Sequence, residues 1–299
     1  MSKSLVFLSF LICFFGFSQS KKYTITNLEM NTEYPHFGLM LINDSKIFCT
    51  SFLLNNKDRI KRFQGNPILT IFEGDLSNDG SIQNLKNIEI DPAQKIFYIT
   101  AATLSPNGDQ LYITTIFEGK DISDDNFQIK VGEFKNGVGW TNFKTLSLCN
   151  PKYSYAHPAI SKDGKTLYFT SNIRGGKETT KGGSDIFKVD ILGDNVYSEP
   201  KNLGSNVNSY SKEIFPFISD DNTLYFASNR SNGFGGYDIY KSKTNKDGTF
   251  GKAEKLPKPI NSNKDDFYFV INNLNKTGYF SSKSDDRKGD DEIYYYTLN

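Results

Sequence analysis

The stretch PAISKDGKTLYFTSN, Pro158 to Asn172, decides the fold, because it recurs as PFISDDNTLYFASN, Pro216 to Asn229. Each copy consists of an apolar run, a turn of Asp, Asn or Gly, and a second run rich in aromatic residues. Weaker copies of the same plan occur elsewhere: LMLINDSKIFCTS from Leu39, ATLSPNGDQLYITT from Ala102 and YFVINNLNKTGYFSSK from Tyr268. Two such runs joined by a turn predict a β-hairpin. The chain is therefore expected to contain five hairpins of one kind.

A second pattern repeats behind these hairpins. In four units an apolar residue precedes an aliphatic one by six positions, in the pairs Trp140 with Leu146, Tyr197 with Leu203, Phe250 with Leu256, and Ile82 with Ile88. These constant offsets predict a second hairpin, hence four strands in a unit of roughly 53 to 63 residues. Repeated four-strand units of this length are typical of a β-propeller. We predict an all-β fold of five four-stranded antiparallel blades, or six if an atypical blade lies between Asn55 and Asp91.

The two ends of the chain predict how the ring closes. The fifth unit ends with EIYYYTLN, where the other units turn into a fourth strand. The segment Tyr23 to Leu28 has strand alternation and the Asn-Leu ending of Asn202-Leu203, but no hairpin of its own. We predict that residues 21–28 complete the last blade. A ring closed in this way leaves no unpaired edge between its first and last blades.

The N-terminus has the pattern of a secretory signal peptide. Lys3 gives a positive start, Leu5 to Phe15 is an apolar core too short to span a bilayer comfortably, and small residues precede Gln19. We predict residues 1–18 as the signal peptide and residues 19–299 as one propeller domain. No membrane span is predicted in the exported chain.

Charge balance and cysteine positions argue against two further features, a nucleic-acid partner and a disulfide bond. The 35 Lys and Arg nearly balance the 34 Asp and Glu and are interspersed with them, which argues against nucleic acid as a partner. Cys49 stands at a core position of the first unit, and Cys149 lies in the loop before the third. Because the first and third blades of a ring do not touch, no disulfide between these cysteines is predicted.

The two regular units resemble a known repeat. HPAISKDGKTLYFTSNIRGG with GGSDIFKVD, and FPFISDDNTLYFASNRSNGFGGYDIYKSK, are similar to the WD-repeat-like Pro-Asp repeats of TolB-type propellers. They resemble more closely the propeller modules of Bacteroidetes envelope proteins that often carry a C-terminal OmpA-type domain. The resemblance implies an interaction module that is periplasmic, outer-membrane-associated or extracellular, and some such relatives serve type IX secretion. No counterpart of the OmpA-type domain occurs, so peptidoglycan binding is not implied, and fold by itself does not fix function.

The glycine-rich loop SNIRGGKETTKGGSDIF, from Ser171, does not match a phosphate-binding loop, because Glu178 stands where Ser or Thr is required. Its counterpart SNRSNGFGGYDIY, from Ser228, is the same loop four residues shorter. We predict a binding surface on these two loops, from residue types that are common in protein interfaces: Arg174, Lys177, Arg230 and Phe234. Both arginines are expected to be exposed and dispensable for the fold.

Acidic residues recur at one repeat position. Asp185, Asp238 and Glu292 stand where the third strand of a unit begins. A repeated acid at a strand start usually serves each blade separately, by accepting hydrogen bonds from backbone N–H groups. These three carboxylates are therefore predicted to be structural.

The inner strands begin at His36 or Glu33, Tyr155 to His157, Glu213, and Asp265 to Asp266, and these residues are predicted to approach the mouth of the central channel. Among them, His157, Glu213 and Asp266 are the candidate binding residues. Paired carboxylates in that place would suit glycoside hydrolysis. However, Ile99 and Tyr155 occupy the position matching Glu213 in units two and three, and no G-x-S-x-G nucleophile motif occurs. No catalytic residue, metal or cofactor is predicted.

Two hypotheses for function follow. The first is a non-enzymatic binding or scaffolding module of the bacterial cell envelope, linked to outer-membrane assembly or secretion, with an envelope protein as partner. The alternative is a glycan-binding protein, or a glycoside hydrolase with its site in the channel. The sequence leaves both open.

Overall fold

The computed structural model describes residues 23–117, 126–274, 276–283 and 288–299. The predicted signal peptide, its cleavage site before Gln19 and the first two residues of the predicted closing strand lie outside these ranges. Within them, no helix has the length and apolar character needed to cross a membrane.

Antiparallel strands fill five sheets in chain order, which we name blades 1 to 5. Strand β1 (Tyr23–Asn27) comes first. Blade 1 contains β2 (Phe37–Asn43), β3 (Lys46–Phe52), an inserted hairpin of β4 (Arg62–Phe63) and β5 (Asn66–Pro67), then β6 (Leu69–Leu76) and β7 (Ile82–Asn87). A short 3-10 helix (Pro92–Gln94) precedes blade 2, which contains β8 (Ala101–Leu104), β9 (Gln110–Ile116), β10 (Phe127–Lys135) and β11 (Gly139–Thr145). Blade 3 contains β12 (Tyr155–Ile160), β13 (Thr166–Ser171), β14 (Asp185–Gly193), β15 (Val196–Tyr197) and β16 (Lys201–Asn202). Blade 4 contains β17 (Glu213–Ile218), β18 (Thr223–Ser228), β19 (Asp238–Lys243) and β20 (Glu254–Lys255), and blade 5 contains β21 (Asp266–Asn272), β22 (Thr277–Ser282) and β23 (Glu292–Leu298).

This arrangement is the predicted five-bladed β-propeller. The region that could have hidden a sixth blade, residues 55–91, instead holds the small β4–β5 hairpin and the two outer strands of blade 1. The five-blade prediction is therefore confirmed, and the six-blade alternative is excluded.

The N-terminal strand closes the ring as predicted. β1 pairs antiparallel with β23, with Tyr23 opposite Leu298 and Asn27 opposite Tyr294. The buried Leu28 then donates its backbone N–H to the carbonyl of Ile293, at 3.3 Å. Leu203 makes the same contact in blade 3, where its N–H donates to the carbonyl of Ile186 at 3.1 Å. The Asn-Leu ending recognised in the sequence thus marks one repeated structural position.

The core lies between neighbouring blades and is built from the same position of each second strand. Five side chains at that position are 0–2% exposed: Cys49, Ile113, Phe169, Phe226 and Phe280. Cys49 thus replaces a core hydrophobe, and burial raises the pKa of its thiol to about 12. Cys49 and Cys149 are both free.

The antiparallel topology separates two faces of the ring. The turns between first and second strands, such as residues 219–222, gather on one face, which we call the hairpin face. The connections between second and third strands, such as residues 229–237, gather on the opposite face together with the links between blades, such as residues 256–265. We call this the loop face. Both predicted binding loops belong to it.

Candidate functional site

The first strands of four blades contain a β-bulge at one repeat position. Gly38, His157, Phe215 and Tyr268 occupy it, with φ between 51° and 68°, and the ladder shifts register beside each of them. A bulge re-aims a side chain out of the regular alternation of a strand. Bulky residues adopt positive φ only where their surroundings hold them there, a feature that is frequent at functional sites.

Three of the bulged residues fill the channel with rings, which we call the aromatic plug: His157, Phe215 and Tyr268. The ring of Phe215 stacks on that of Tyr268 with centroids 3.7 Å apart, and lies 3.9 Å from the ring of His157. The Tyr268 hydroxyl donates to the carbonyl of Thr100 at 2.8 Å. Burial lowers the pKa of His157 to about 3, so this ring is neutral. The space left at the level of the plug is a cavity of only about 30 Å³.

Above the plug, on the loop face, lies a chamber of about 320 Å³. Its walls are mainly aromatic and are formed by Phe37, Phe127, Phe215, Tyr237, Phe267 and Tyr268. Sites of small ligands and of anchoring side chains have this character, with apolar walls and a few polar groups. The chamber is therefore the candidate binding site of the propeller.

One wall of the chamber is charged. The Lys283 ammonium lies 3.9 Å from a carboxylate oxygen of Asp265 and 3.9 Å from one of Asp291. Backbone hydrogen bonds fix these positions, because the N–H of Lys283 donates to the carbonyl of Asp265 and the N–H of His36 donates to the carbonyl of Asp291. Asp265 also accepts the N–H of Tyr237, at 2.9 Å. Two carboxylates and one ammonium therefore meet at the edge of the aromatic walls.

Glu213 does not lie at the channel mouth, and the prediction that placed it there is wrong. Its carboxylate is 0% exposed and turns into blade 4. It accepts hydrogen bonds from the N–H and hydroxyl of Ser209, at 2.9 and 2.6 Å, and from the hydroxyl of Ser228, at 2.7 Å. Arg230 supplies the opposite charge at 3.1 Å.

Asp266 repeats this arrangement in blade 5, so its predicted place at the channel mouth is also wrong. It accepts from the N–H of Ser262 and the hydroxyl of Ser282, both at 2.6 Å, and is 0% exposed. Burial raises the pKa of Asp266 to about 6. A carboxyl with no exposed surface cannot exchange a proton with a substrate in the channel. In blade 1 the matching pair is Thr32 with His36, whose side chains are 3.0 Å apart.

The acids at the start of third strands hold the loops before them. Asp185 accepts the N–H groups of residues 181 and 182, at 2.9 and 3.3 Å, and Asp238 accepts those of residues 234 and 235, at 2.8 and 3.1 Å. Glu292 accepts from the N–H groups of residues 288 and 289 in the same way. All three carboxylates are 0% exposed. Each one therefore caps a loop of its own blade, as predicted.

Arg230 is not the exposed rim residue that the sequence predicted. Its side chain is only 16% exposed and pairs with the fully buried Glu213. The guanidinium also donates to the hydroxyl of Ser228 at 2.9 Å and to the carbonyl of Val207 at 2.5 Å, and lies 4.5 Å from the centre of the Tyr240 ring. The prediction that this arginine is dispensable for the fold is therefore contradicted by its contacts.

The other predicted rim residues remain at the surface of the loop face. Arg174 donates to the carbonyls of Thr180 and Gly182, at 2.8 and 2.7 Å, and so spans its own loop. Lys177 is exposed. Phe234 is 44% exposed, with the Lys255 ammonium 3.5 Å from the centre of its ring.

The structure brings together Asp265, Lys283, Asp291 and the aromatic walls. The sequence analysis expected Asp265 near the channel mouth but selected none of these three charged residues for binding. Within the part of the chain that the structure describes, no group of three or more His, Cys, Asp or Glu is placed to hold a metal ion. A signal for the buried acids was present in the sequence. Asn-Ser precedes an acid at one fixed spacing in Asn208-Ser209 with Glu213 and in Asn261-Ser262 with Asp266.

No protein-family model and no curated protein matches the chain. Among solved structures, an endo-arabinase from Bacteroides thetaiotaomicron aligns with a TM-score of 0.51 and 15% identity, over 92% of this chain and 94% of that one. A levansucrase mutant from B. megaterium aligns with a TM-score of 0.52 and 11% identity, over 91% and 81% of the two chains. A putative TolB from Agrobacterium tumefaciens aligns with a TM-score of 0.49 and 14% identity, over 92% and 88%, a likeness too weak to argue from.

Identities this low show the fold alone. The chain is a β-propeller, and the solved structures similar to it include an endo-arabinase and a levansucrase. The finer resemblance to propeller modules of Bacteroidetes envelope proteins stays a prediction.

Proposed function

We propose that this protein is a non-enzymatic binding module of the bacterial cell envelope that takes an envelope protein as its partner on the loop face. One observation carries the proposal. The repeated carboxylates are buried and hydrogen-bonded within their own blades, whereas the open chamber on the loop face is walled by aromatic rings. Aromatic residues arranged around a pocket are typical of the energetic centres of protein interfaces.

The carboxylates of the channel argue against a glycoside hydrolase. Such an enzyme needs two carboxyl groups that flank the scissile bond, one of them acting as a proton donor. Glu213 and Asp266 have no exposed surface from which to reach a substrate. Asp265 and Asp291 reach the chamber, but both lie 3.9 Å from the ammonium of Lys283. They form an ion-pair cluster with that ammonium on one wall of the chamber.

The proposed location rests on the sequence. The charged start, apolar core and small-residue site before Gln19 predict export. The resemblance to envelope propeller repeats points to the periplasm or the outer membrane, and it supports a role in outer-membrane assembly or secretion.

Affinity capture tests the proposal. Residues 19–299, immobilised through a C-terminal tag, are exposed to a cell-envelope extract, and bound proteins are identified by mass spectrometry. We expect one protein to be enriched on the wild type and lost on the double variant Arg174→Ala, Phe234→Ala. Leu274→Ser is the matched control, because Leu274 is 83% exposed but lies on the hairpin face. If the control variant also fails to capture the partner, a site on the loop face is contradicted.

The same preparation tests the enzymatic alternative. We expect no release of reducing sugar from a panel of envelope and plant glycans. Hydrolysis that is present in the wild type and abolished in Asp265→Asn would contradict the proposal and favour a hydrolase.

A further inference from the structure

We infer that the chamber at the channel mouth binds a cationic side chain, a lysine or arginine, presented by the protein partner. This inference rests on the proposed function, because it names the part of the partner that the loop face recognises.

The shape of the chamber fits one side chain. Its volume of about 320 Å³ is near the lower end of the range of about 300–1,000 Å³ for ligand pockets. The aromatic plug closes its floor, since ring centroids 3.7 and 3.9 Å apart leave no passage between Phe215 and its neighbours. A segment of chain therefore cannot thread the channel, but a side chain can enter from the loop face and end there.

The charge of the chamber favours a cation. Among the described residues that line the chamber, Asp265 and Asp291 contribute two carboxylates and Lys283 one ammonium, which is a formal charge of −1. His157 adds no positive charge, because burial keeps its ring neutral. Aromatic rings attract cations to their faces, more strongly where water is excluded. The aromatic walls and the acidic edge thus both favour the binding of a cation.

Several polar groups of the chamber are already paired with protein groups, which leaves fewer partners for the hydroxyl groups of a sugar. A sugar presents many hydroxyl groups, and burying them without hydrogen bonds is unfavourable. The described residues that line the chamber include no Asn, Gln, Arg or Trp. The Tyr268 hydroxyl already donates to the carbonyl of Thr100. A lysine or arginine needs fewer partners, because its stem is apolar and its charge is concentrated at the tip.

Lys283 shows where the incoming cation would sit. Its ammonium is 3.9 Å from a carboxylate oxygen of each aspartate. The side chain is 34% exposed, so it borders the space that an incoming side chain would enter. Lys283 therefore holds the place of the ligand cation between Asp265 and Asp291, and competes with it.

Calorimetric titration with two small probes tests the inference. The probes are N-acetyl-lysine methylamide and its uncharged analogue N-acetyl-norleucine methylamide. We expect the wild type to bind the lysine probe about tenfold more tightly than the norleucine probe, the ratio for a partly buried cation–aromatic and ion-pair contact. Asp265→Asn and Asp291→Asn should each weaken the lysine probe about fivefold, as for an exposed ion pair.

Lys283→Gln gives the most specific outcome. Because the resident ammonium is removed, the lysine probe should bind about threefold to fivefold more tightly, a gain of the size of one exposed ion pair. Asp220→Asn is the matched control, since that carboxylate pairs with Lys162 on the hairpin face and its loss should change nothing. Thermal melting of every variant confirms that it is folded.

Equal binding of the two probes, no binding of the lysine probe, or binding of N-acetylglucosamine in its place would overturn the inference. So would weaker binding to Lys283→Gln. If the envelope partner is still captured by Asp265→Asn and Asp291→Asn, the proposed function stands and only the cationic anchor falls. If the lysine probe binds as expected but no partner is captured, the proposed function fails instead.

Discussion

Asp265 and Asp266 are neighbours in the chain and belong to two different parts of the molecule. Asp266 is fully buried in blade 5 and accepts hydrogen bonds from Ser262 and Ser282. Asp265 faces the chamber and shares the ammonium of Lys283 with Asp291. Successive residues at a strand start point to opposite sides, so one step along the chain separates the scaffold from the candidate site.

The position of Asp266 repeats around the ring and that of Asp265 does not. Glu213 matches Asp266 in blade 4, with Ser209 and Ser228 in place of Ser262 and Ser282. The residue that matches Asp265 there is Lys212. Repetition in this propeller therefore marks groups that hold each blade together, and irregular positions form the site.

A second repeated device supports this division. Three buried asparagines between blades each exchange two hydrogen bonds with the backbone of a third strand, in the pairs Asn208 with Ile186, Asn261 with Ile239, and Asn31 with Ile293. Each side-chain amide thus accepts the isoleucine N–H and shares the isoleucine carbonyl with a backbone N–H, that of Leu203, Leu256 or Leu28. An unsatisfied buried backbone group is unfavourable by about 1–3 kcal/mol, which explains why the scaffold uses the same residue three times.

The largest loss of stability is expected when the strand that closes the ring is removed. A truncation that begins at Glu29 removes β1 and leaves the edge of β23 unpaired. Each lost hydrogen bond is worth about 0.5–1.5 kcal/mol, and a folded domain is stable by only about 5–15 kcal/mol. We expect the truncated chain to melt at least ~10 °C earlier or to aggregate. An unchanged melting temperature in calorimetry would contradict closure by β1.

The next largest effect is expected from Arg230→Ala, which leaves the buried carboxylate of Glu213 without its partner. Breaking a buried ion pair on one side destabilises by about 3–5 kcal/mol. Arg174→Ala is the matched control, because that arginine is exposed and spans only its own loop, so its loss should change stability by less than about 1 kcal/mol. Urea unfolding measures both values. Equal stabilities of the two variants would mean that Arg230 belongs to the surface.

The five-bladed scaffold was largely predictable from the sequence, because each hairpin is local and repeats. The closing strand was found by matching Asn27-Leu28 to Asn202-Leu203, and the amides of Leu28 and Leu203 do make the same backbone contact. The burial of Arg230 was not predictable in this way. Its loop resembles the longer loop of Arg174, and nothing in loop composition shows that a guanidinium turns inward to Glu213.

The sequence placed the predicted binding loops on the loop face, where the chamber also lies, but two of the selected residues, Glu213 and Asp266, turn into their own blades. Simple alternation fails on the inner strands, because bulges at His157, Phe215 and Tyr268 insert a residue with positive φ. A bulge changes which side chains face the channel. For that reason Glu213 and Asp266 were selected as channel residues, although the neighbouring Asp265 is the one that lines the chamber. The constant spacing from Ser209 to Glu213 and from Ser262 to Asp266 would have identified both acids as structural.

A smaller effect concerns pH. Burial lowers the pKa of His36 to about 4 and that of His157 to about 3, whereas unfolded histidine titrates near about 6.5. The unfolded chain therefore binds more protons than the folded one below that pH, so stability falls as the pH drops from about 6.5 to about 4. Asp266 acts in the opposite direction, since its pKa is raised to about 6 and its protonation favours the folded state as the pH falls.

Two variants separate these contributions. We expect His36→Gln to lose less stability than the wild type between pH 7 and pH 4.5, and Asp266→Asn to lose more, as measured by urea midpoints at both values. If the wild type and both variants lose the same stability between pH 7 and pH 4.5, neither His36 nor Asp266 titrates as its burial implies.

The most direct test of the division between scaffold and site compares Asp265→Ala with Asp266→Ala in one experiment that records melting temperature and binding of N-acetyl-lysine methylamide. Asp265→Ala should melt within about 2 °C of the wild type, since water can replace a partly exposed carboxylate, but should bind the probe about fivefold more weakly. Asp266→Ala should melt several degrees lower, because the N–H of Ser262 and the hydroxyl of Ser282 lose their buried acceptor, while its folded fraction keeps the wild-type affinity. The reverse result, with stability lost in Asp265→Ala and affinity lost in Asp266→Ala, would contradict the account.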